Sequence, residues 1–202
     1  MAALDLPQLL ALAAVLGFAS GLRLYAVLFV VGLAGWAGWV ELPSGLQVLQ
    51  HPWVLIASGA MGVVELIADK IPWVDSAWDS VQTFIRIPAG AALAAGALGG
   101  VDGAVWTVVA AIVGGSLAAT SHLAKSGTRA AANTSPEPLS NAGLSVAEDL
   151  TAGGLLWLAF AHPWVALAAV AVLAVAAIWL LTKVLRYLRR LFRWLAPSAR
   201  AP

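Results

Sequence analysis

The sequence predicts an all-α integral membrane protein with about six transmembrane helices in three hairpins, accompanied by short re-entrant or interfacial helices. Three observations carry this expectation. First, 61% of the 202 residues are hydrophobic, only 10% are charged, and the mean hydropathy is +0.90. A soluble domain carries about 25% charged residues, so this chain cannot cover a water-facing surface and a lipid environment is the economical reading. Second, three apolar stretches share one frame, a Trp at the start and a Lys at the end: Trp53 to Lys70, Trp106 to Lys125 and Trp164 to Lys183. At 1.5 Å per residue each is about 26 to 29 Å long, close to the hydrocarbon thickness. Trp at one interface and a snorkelling Lys at the other are anchoring chemistry.

The third observation is charge asymmetry. Six spans place the connections 40–52, 101–103 and 162–163 on one side, and these hold no Lys or Arg. The other side collects Lys70, Arg86, Lys125, Arg129, Lys183, Arg186, Arg189, Arg190, Arg193 and Arg200, leaving Arg23 as the only other basic residue. The positive-inside rule then places both termini in the cytoplasm and the protein in the inner (plasma) membrane.

Composition also excludes several function classes. A net charge of +1 predicts no nucleic-acid partner. The absence of Cys removes disulfides, thiolate metal sites and a Cys nucleophile. The N-terminal run has no preceding Lys or Arg and no clear A-x-A site, so it is not read as a cleaved signal peptide. There is no H-E-x-x-H, no P-loop, no dinucleotide fingerprint and no nucleophile–base pair, so no metal, cofactor or enzyme activity is expected.

The elements follow in order. Pro7 to Trp39 is about 50 Å as a straight helix, too long for one upright span. Gly17, Ser20 and Gly21 precede Arg23 and suggest a break, giving a short re-entrant or interfacial helix over 7–19 and a span over 22–39. One long tilted helix is the competing reading. Residues 40–52 form a loop and 53–69 a span. In 71–86, Asp75, Asp79, Gln82 and Arg86 share one helical face, with Trp78, Val81 and Ile85 on the other. This predicts an amphipathic helix lying in the interface. A short Ala/Gly helix over 87–100, a turn at Asp102-Gly103 and a span over 104–124 follow. Residues 125–145 read as the longest polar loop, 146–161 as a short apolar segment and 164–182 as the last span. Residues 1–182 thus form a single membrane domain, and 183–202 a basic amphipathic cytoplasmic tail suited to anionic lipid.

An internal repeat over 7–70, 71–125 and 126–183 is suggested by the shared frames and by His-Pro-Trp at 51–53 and 162–164. Arg23-Leu-Tyr-Ala, Arg86-Ile-Pro-Ala and Asp149-Leu-Thr-Ala each open an apolar stretch of similar length. Such repeats, with short interrupted segments, are a habit of transporter folds.

The candidate ligand- or ion-binding residues are Arg23, Glu65, Asp69, Lys70, Asp75, Asp79, Arg86, Glu148 and Asp149. An ionisable group in hydrocarbon costs roughly 2.5–3.5 kcal/mol on insertion scales, so it pairs or lines a cavity. Glu65 and Asp69 lie at i and i+4 on one face and need a cation, which Arg23 or Arg86 can supply; Glu148-Asp149 can take the other. Salt bridges that fix helix packing are the alternative to a polar pocket open to the cytoplasm. His51, His122 and His162 have no metal-ligand spacing, and the glycines within the spans read mainly as packing residues.

Ser20-Gly21-Leu22-Arg23-Leu24-Tyr25 and the run from Glu65-Leu66-Ile67-Ala68-Asp69-Lys70-Ile71-Pro72 through Asp75-Ser76-Ala77-Trp78-Asp79 to Arg86 resemble a bacterial membrane family known as domain of unknown function 4126. The resemblance covers about residues 8–180. It implies an integral membrane protein, supplies no activity, and marks Glu65, Asp69, Lys70, Asp75, Asp79 and Arg86 as a signature cluster. Together these readings point to a small transporter or permease, with a non-transporting membrane organiser as the alternative. A homodimer fits either, because six short spans enclose little volume.

Overall fold

A computed structural model of the chain describes residues 4–99, 101, 103–133 and 138–195. The described residues hold six α-helices, one 3-10 helix and no strand: α1 (Leu6–Trp36), the 3-10 helix (Ser44–Gln50), α2 (Pro52–Ala68), α3 (Pro72–Ala97), α4 (Ala104–Ala132), α5 (Pro138–Ala161) and α6 (Pro163–Leu195). Four of them, α1, α4, α5 and α6, are long and apolar enough to cross a membrane, and the 3-10 helix with α2, bent by 72°, makes a fifth candidate.

The helix α1 organises the bundle and packs against every other helix. It starts at a capping box, in which the Gln8 amide donates to Asp5 at 2.9 Å and the Asp5 amide donates to the Gln8 side chain at 3.0 Å. Its regular dihedrals fail at one residue, Arg23, with φ −143° and ψ 68°. That residue reverses the chain. In the first arm (6–22), Leu10 shares a cavity wall with Trp106 and Val109, Gly17 packs on Gly114, and Gly21 packs on Ala118. The first arm therefore runs parallel to α4. In the second arm (24–36), Tyr25 lies beside Gly62, Phe29 beside Gly59 and Gly32 beside Leu55, so it runs antiparallel to α2.

Two consequences bear on the sequence-based expectation. The stretch over 7–39 is not one tilted helix; the expected break is present, and the short re-entrant or interfacial helix over 7–19 and the helix over 22–39 are two arms that fold back on each other. The stretch is a helical hairpin broken at Arg23, with Gly17, Ser20 and Gly21 inside the regular first arm. The start of α1 and the end of α6 also lie at opposite ends of the bundle. The Gln8 side chain donates through Nε2 to the Phe160 carbonyl at 3.3 Å, beside the α5–α6 turn, whereas α6 runs away from that turn to pack Val184 against Gly127. Six crossings would have put both ends together.

The contact of the first arm with α4 requires glycine. A Cβ on Gly17 would lie 2.7 Å from the Gly114 Cα, closer than side chains approach backbone. Leu12, Val15, Leu16 and Ala19 are fully buried around this contact.

The polar helix over 71–86 and the Ala/Gly helix over 87–100 are one continuous α3, with Pro88 inside it. Its amphipathic faces are inverted with respect to the expected interfacial helix. Asp75, Asp79, Gln82 and Arg86 are buried, whereas Val81 and Phe84 are exposed. In lipid the solvent is apolar, so the charged face turns inward. Asp102, half of the expected turn before α4, lies outside the described residues. The 125–145 loop also shrinks, because α4 runs to Ala132 and α5 begins at Pro138. The basic tail is not a separate element: α6 continues as one helix to Leu195, and 196–202 lie outside the described residues.

Candidate functional site

The break in α1 creates the site. A helix that stops leaves its last carbonyls without amide partners. Gly21 and Leu22 are in that position, and both carbonyls accept from Arg86 Nη1 at 3.1 Å. The Leu22 carbonyl also accepts from Lys125 Nζ at 3.0 Å. Two cations thus cap the negative end of the first arm's dipole, where positive charge is favoured.

Carboxylates surround these cations. Arg86 is paired with Glu65, and Arg23 with Asp69, in short contacts. Arg129 grips Glu148 through Nε at 3.1 Å and Nη2 at 3.0 Å, and reaches Asp75 at 2.9 Å and Asp69 at 3.3 Å. Lys125 sits 3.1 Å from Glu148 and 3.6 Å from Asp69. Arg23 reaches Asp149 at 2.7 Å and donates to the Ser145 hydroxyl at 2.5 Å. Asp79 lies 3.7 Å from Arg86. The connected network holds four cations, Arg23, Arg86, Lys125 and Arg129, against six carboxylates, Glu65, Asp69, Asp75, Asp79, Glu148 and Asp149. All except Asp149 are buried. Ionised throughout, the network carries an excess of negative charge.

Of the nine residues singled out in the sequence, eight meet here. Lys70 does not: it follows the Asp69 cap of α2 and projects outward, exposed. Its position one residue past Asp69 turns it away from the face that Glu65 and Asp69 share. Glu65 and Asp69 do not share one arginine, as expected, but take one each, Glu65 pairing with Arg86 and Asp69 with Arg23. Glu148 and Asp149 diverge, Asp149 going to Arg23 and Glu148 mainly to Arg129 and Lys125.

Sequence reasoning missed Lys125 and Arg129, which it reads as a membrane anchor and a loop residue. The signal was available: Ser121, Lys125 and Arg129 recur every four residues, and all three are buried on one face of α4. His122 is also buried here, with its ring 2.8 Å from Thr83 Oγ1 and 3.4 Å from Arg86 Nη1. His51 caps α2, its Nδ1 accepting from the Trp53 amide at 3.3 Å. Among the described residues, no group of three or more His, Asp or Glu side chains could hold a metal ion.

Several carboxylate oxygens remain available. Glu65 Oε2, Asp69 Oδ1 and Asp75 Oδ2 are buried without a hydrogen-bond partner. Buried polar groups are nearly always bonded, so these are acceptors facing inward with capacity left. A cavity of about 470 Å³ reaches the network from the side, between the second arm of α1, α2 and α5, with Arg23, Glu65 and Asp149 at its polar end.

These features define a class: an all-α membrane-embedded protein built around a buried charge network at a broken helix. The chain belongs to the family described as domain of unknown function 4126, which matches residues 10–183. No curated protein and no solved structure matches it.

Proposed function

We propose that this protein is a small transporter whose binding site is the charge network around Arg23. The observation that carries the reading is the helix break itself, with its freed carbonyls and its ion pairs buried in the same place. Discontinuous helices whose ends meet charged groups are how transporters build ion and substrate sites. The excess of carboxylates favours a cationic substrate. The suggested repeat adds support: Arg23, Arg86 and Asp149, the three residues that open the matching apolar stretches, all take part in this one network.

In this reading α1 is a re-entrant hairpin that starts and ends on one face, and α2 to α6 each cross once. The positive-inside rule puts the end bearing Lys70, Lys183 and Arg186 to Arg193 in the cytoplasm of the inner membrane, and the start of α1 on the opposite side. The protein has no enzyme activity in this account, and a homodimer is its working assembly, which cross-linking in the membrane tests.

The experiment is reconstitution into liposomes, with charge-movement currents recorded on a panel of inorganic and alkylammonium cations. Wild-type protein carries current for at least one cation, and folded Glu65→Gln and Asp69→Asn variants lose it. Unchanged currents in folded variants would sink the proposal.

A second reading is a non-transporting organiser that binds anionic lipid through its C-terminal helix. It is favoured by α6 continuing past the apolar span with Arg186, Arg189, Arg190 and Arg193 along it. Deletion of 183–202 then abolishes binding to phosphatidylserine vesicles; retained binding rejects it.

A further inference from the structure

We infer that the lateral groove between α2 and α5 is a binding site for a single-chain amphiphile with a protonated amine head. The groove has one apolar wall from the second arm of α1 and α2, including Val27, Val30 and Val63, and another from α5, where a Cβ on Gly153 would meet nothing within 4 Å. Its polar end holds Arg23, Glu65 and Asp149.

The head-group chemistry follows from the charges there. Arg23 is already held by Asp69 and Asp149. Glu65, only 1% exposed, is bound to Arg86 through Oε1 and keeps Oε2 without a partner. Asp149 is tied through Oδ1 while its side chain is 42% exposed. With Arg86 matched to Glu65, the network behind this end still sets four cations against six carboxylates, and a primary ammonium supplies the missing charge and donors. A carboxylate or phosphate head would meet repulsion instead.

The body follows from shape. The groove is open on one side, and about 470 Å³ suits one ligand of drug-like size. That volume accommodates one aliphatic chain, and we assign the occupant as single-chained. The cluster end of α2 lies at the same end of the bundle as the basic helix, so the head sits near an interface with the chain directed inward. The inference deepens the transport proposal by naming its substrate class, and only its flux arm rests on that proposal.

The test uses labelled dodecylamine and the full chain in phosphatidylcholine nanodiscs. Saturable binding is expected, displaced by unlabelled dodecylamine and not by dodecanoate. Asp149→Asn weakens it by about tenfold, the effect of losing one charge-assisted contact, and Gly153→Leu, which fills the groove, abolishes it. Gly154→Leu, on the neighbouring side of α5, binds as wild type. Thermal unfolding confirms that each variant is folded. No saturable binding, equal displacement by dodecanoate, or wild-type affinity in both Asp149→Asn and Gly153→Leu overturns the site. Displacement by phosphatidylethanolamine at matched concentration also overturns it, in favour of a two-chain lipid. Specific binding with no dodecylamine flux in liposomes leaves the groove standing and counts against the transporter.

Discussion

Arg86 Nη1 lies 3.1 Å from the carbonyl oxygens of both Gly21 and Leu22, the two residues before the break in α1, while its Nη2 pairs with Glu65 on α2. One guanidinium thus terminates a helix and neutralises a buried carboxylate. Removing it strands both. Arg86→Ala should destabilise the fold by about 3–5 kcal/mol, the range for breaking a buried pair from one side. Lys70→Ala, on an exposed residue outside the network, should stay within about 0.5 kcal/mol. Equilibrium unfolding in detergent measures both.

The pair of Arg23 and Asp69 should behave as a unit. Each single neutral replacement, Arg23→Gln or Asp69→Asn, leaves a charge buried, whereas the double replacement removes both. The double-mutant cycle is therefore predicted to show a coupling energy of about 1–3 kcal/mol, with the double variant more stable than the sum of singles. A coupling near zero would mean that Lys125 and Arg129, both within 4 Å of Asp69, compensate fully.

Glycines divide into two kinds. Gly17→Ala drives a methyl to 2.7 Å from the Gly114 Cα and should destabilise markedly by separating α1 from α4. Gly154→Ala meets open space inside a helix and should stabilise by about 0.5–1 kcal/mol. Thermal shifts of opposite sign check the distinction.

Much of this site is legible in the sequence because buried charge has few solutions. Carboxylates at Glu65 and Asp69, inside an apolar stretch, demand cations, and Arg23 and Arg86 stand at comparable depth. The spacing of Asp75, Asp79, Gln82 and Arg86 also defines one face, but not the direction in which that face points. Amphipathic spacing separates a polar side from an apolar side, and the same pattern serves an interfacial helix or an inside-out helix in lipid. Lys125 is hidden because a Lys ending a span after Trp106 satisfies the anchoring pattern, and anchors need no partners. Only the continuing stripe through Arg129, resumed at Asn141, Ser145 and Glu148 on α5, separates the two cases. The reversal at Arg23 is hardest to see. Gly and Ser mark weak points in a helix, but the break falls where Arg86 and Lys125 cap the freed carbonyls, and that is a tertiary effect.

The placement of the chain ends has a direct consequence for labelling. The protein contains no Cys, so single-Cys variants report cleanly. Cysteines at Leu6 and at Tyr187, both exposed, should react with an impermeant maleimide from opposite sides of a sealed membrane. Reaction from the same side would restore an even number of crossings.

The reversal of α1 is the claim on which the site depends, and a distance measurement tests it most directly. Leu6 and Trp36, at the two ends of α1, are 54% and 63% exposed and can carry spin labels in the otherwise cysteine-free chain. A continuous helix would separate them by about 45 Å. Pulsed dipolar spectroscopy on the Leu6→Cys/Trp36→Cys variant should give a distribution centred below about 30 Å, as two arms folded back at Arg23 require. A single peak near roughly 45 Å would contradict the account.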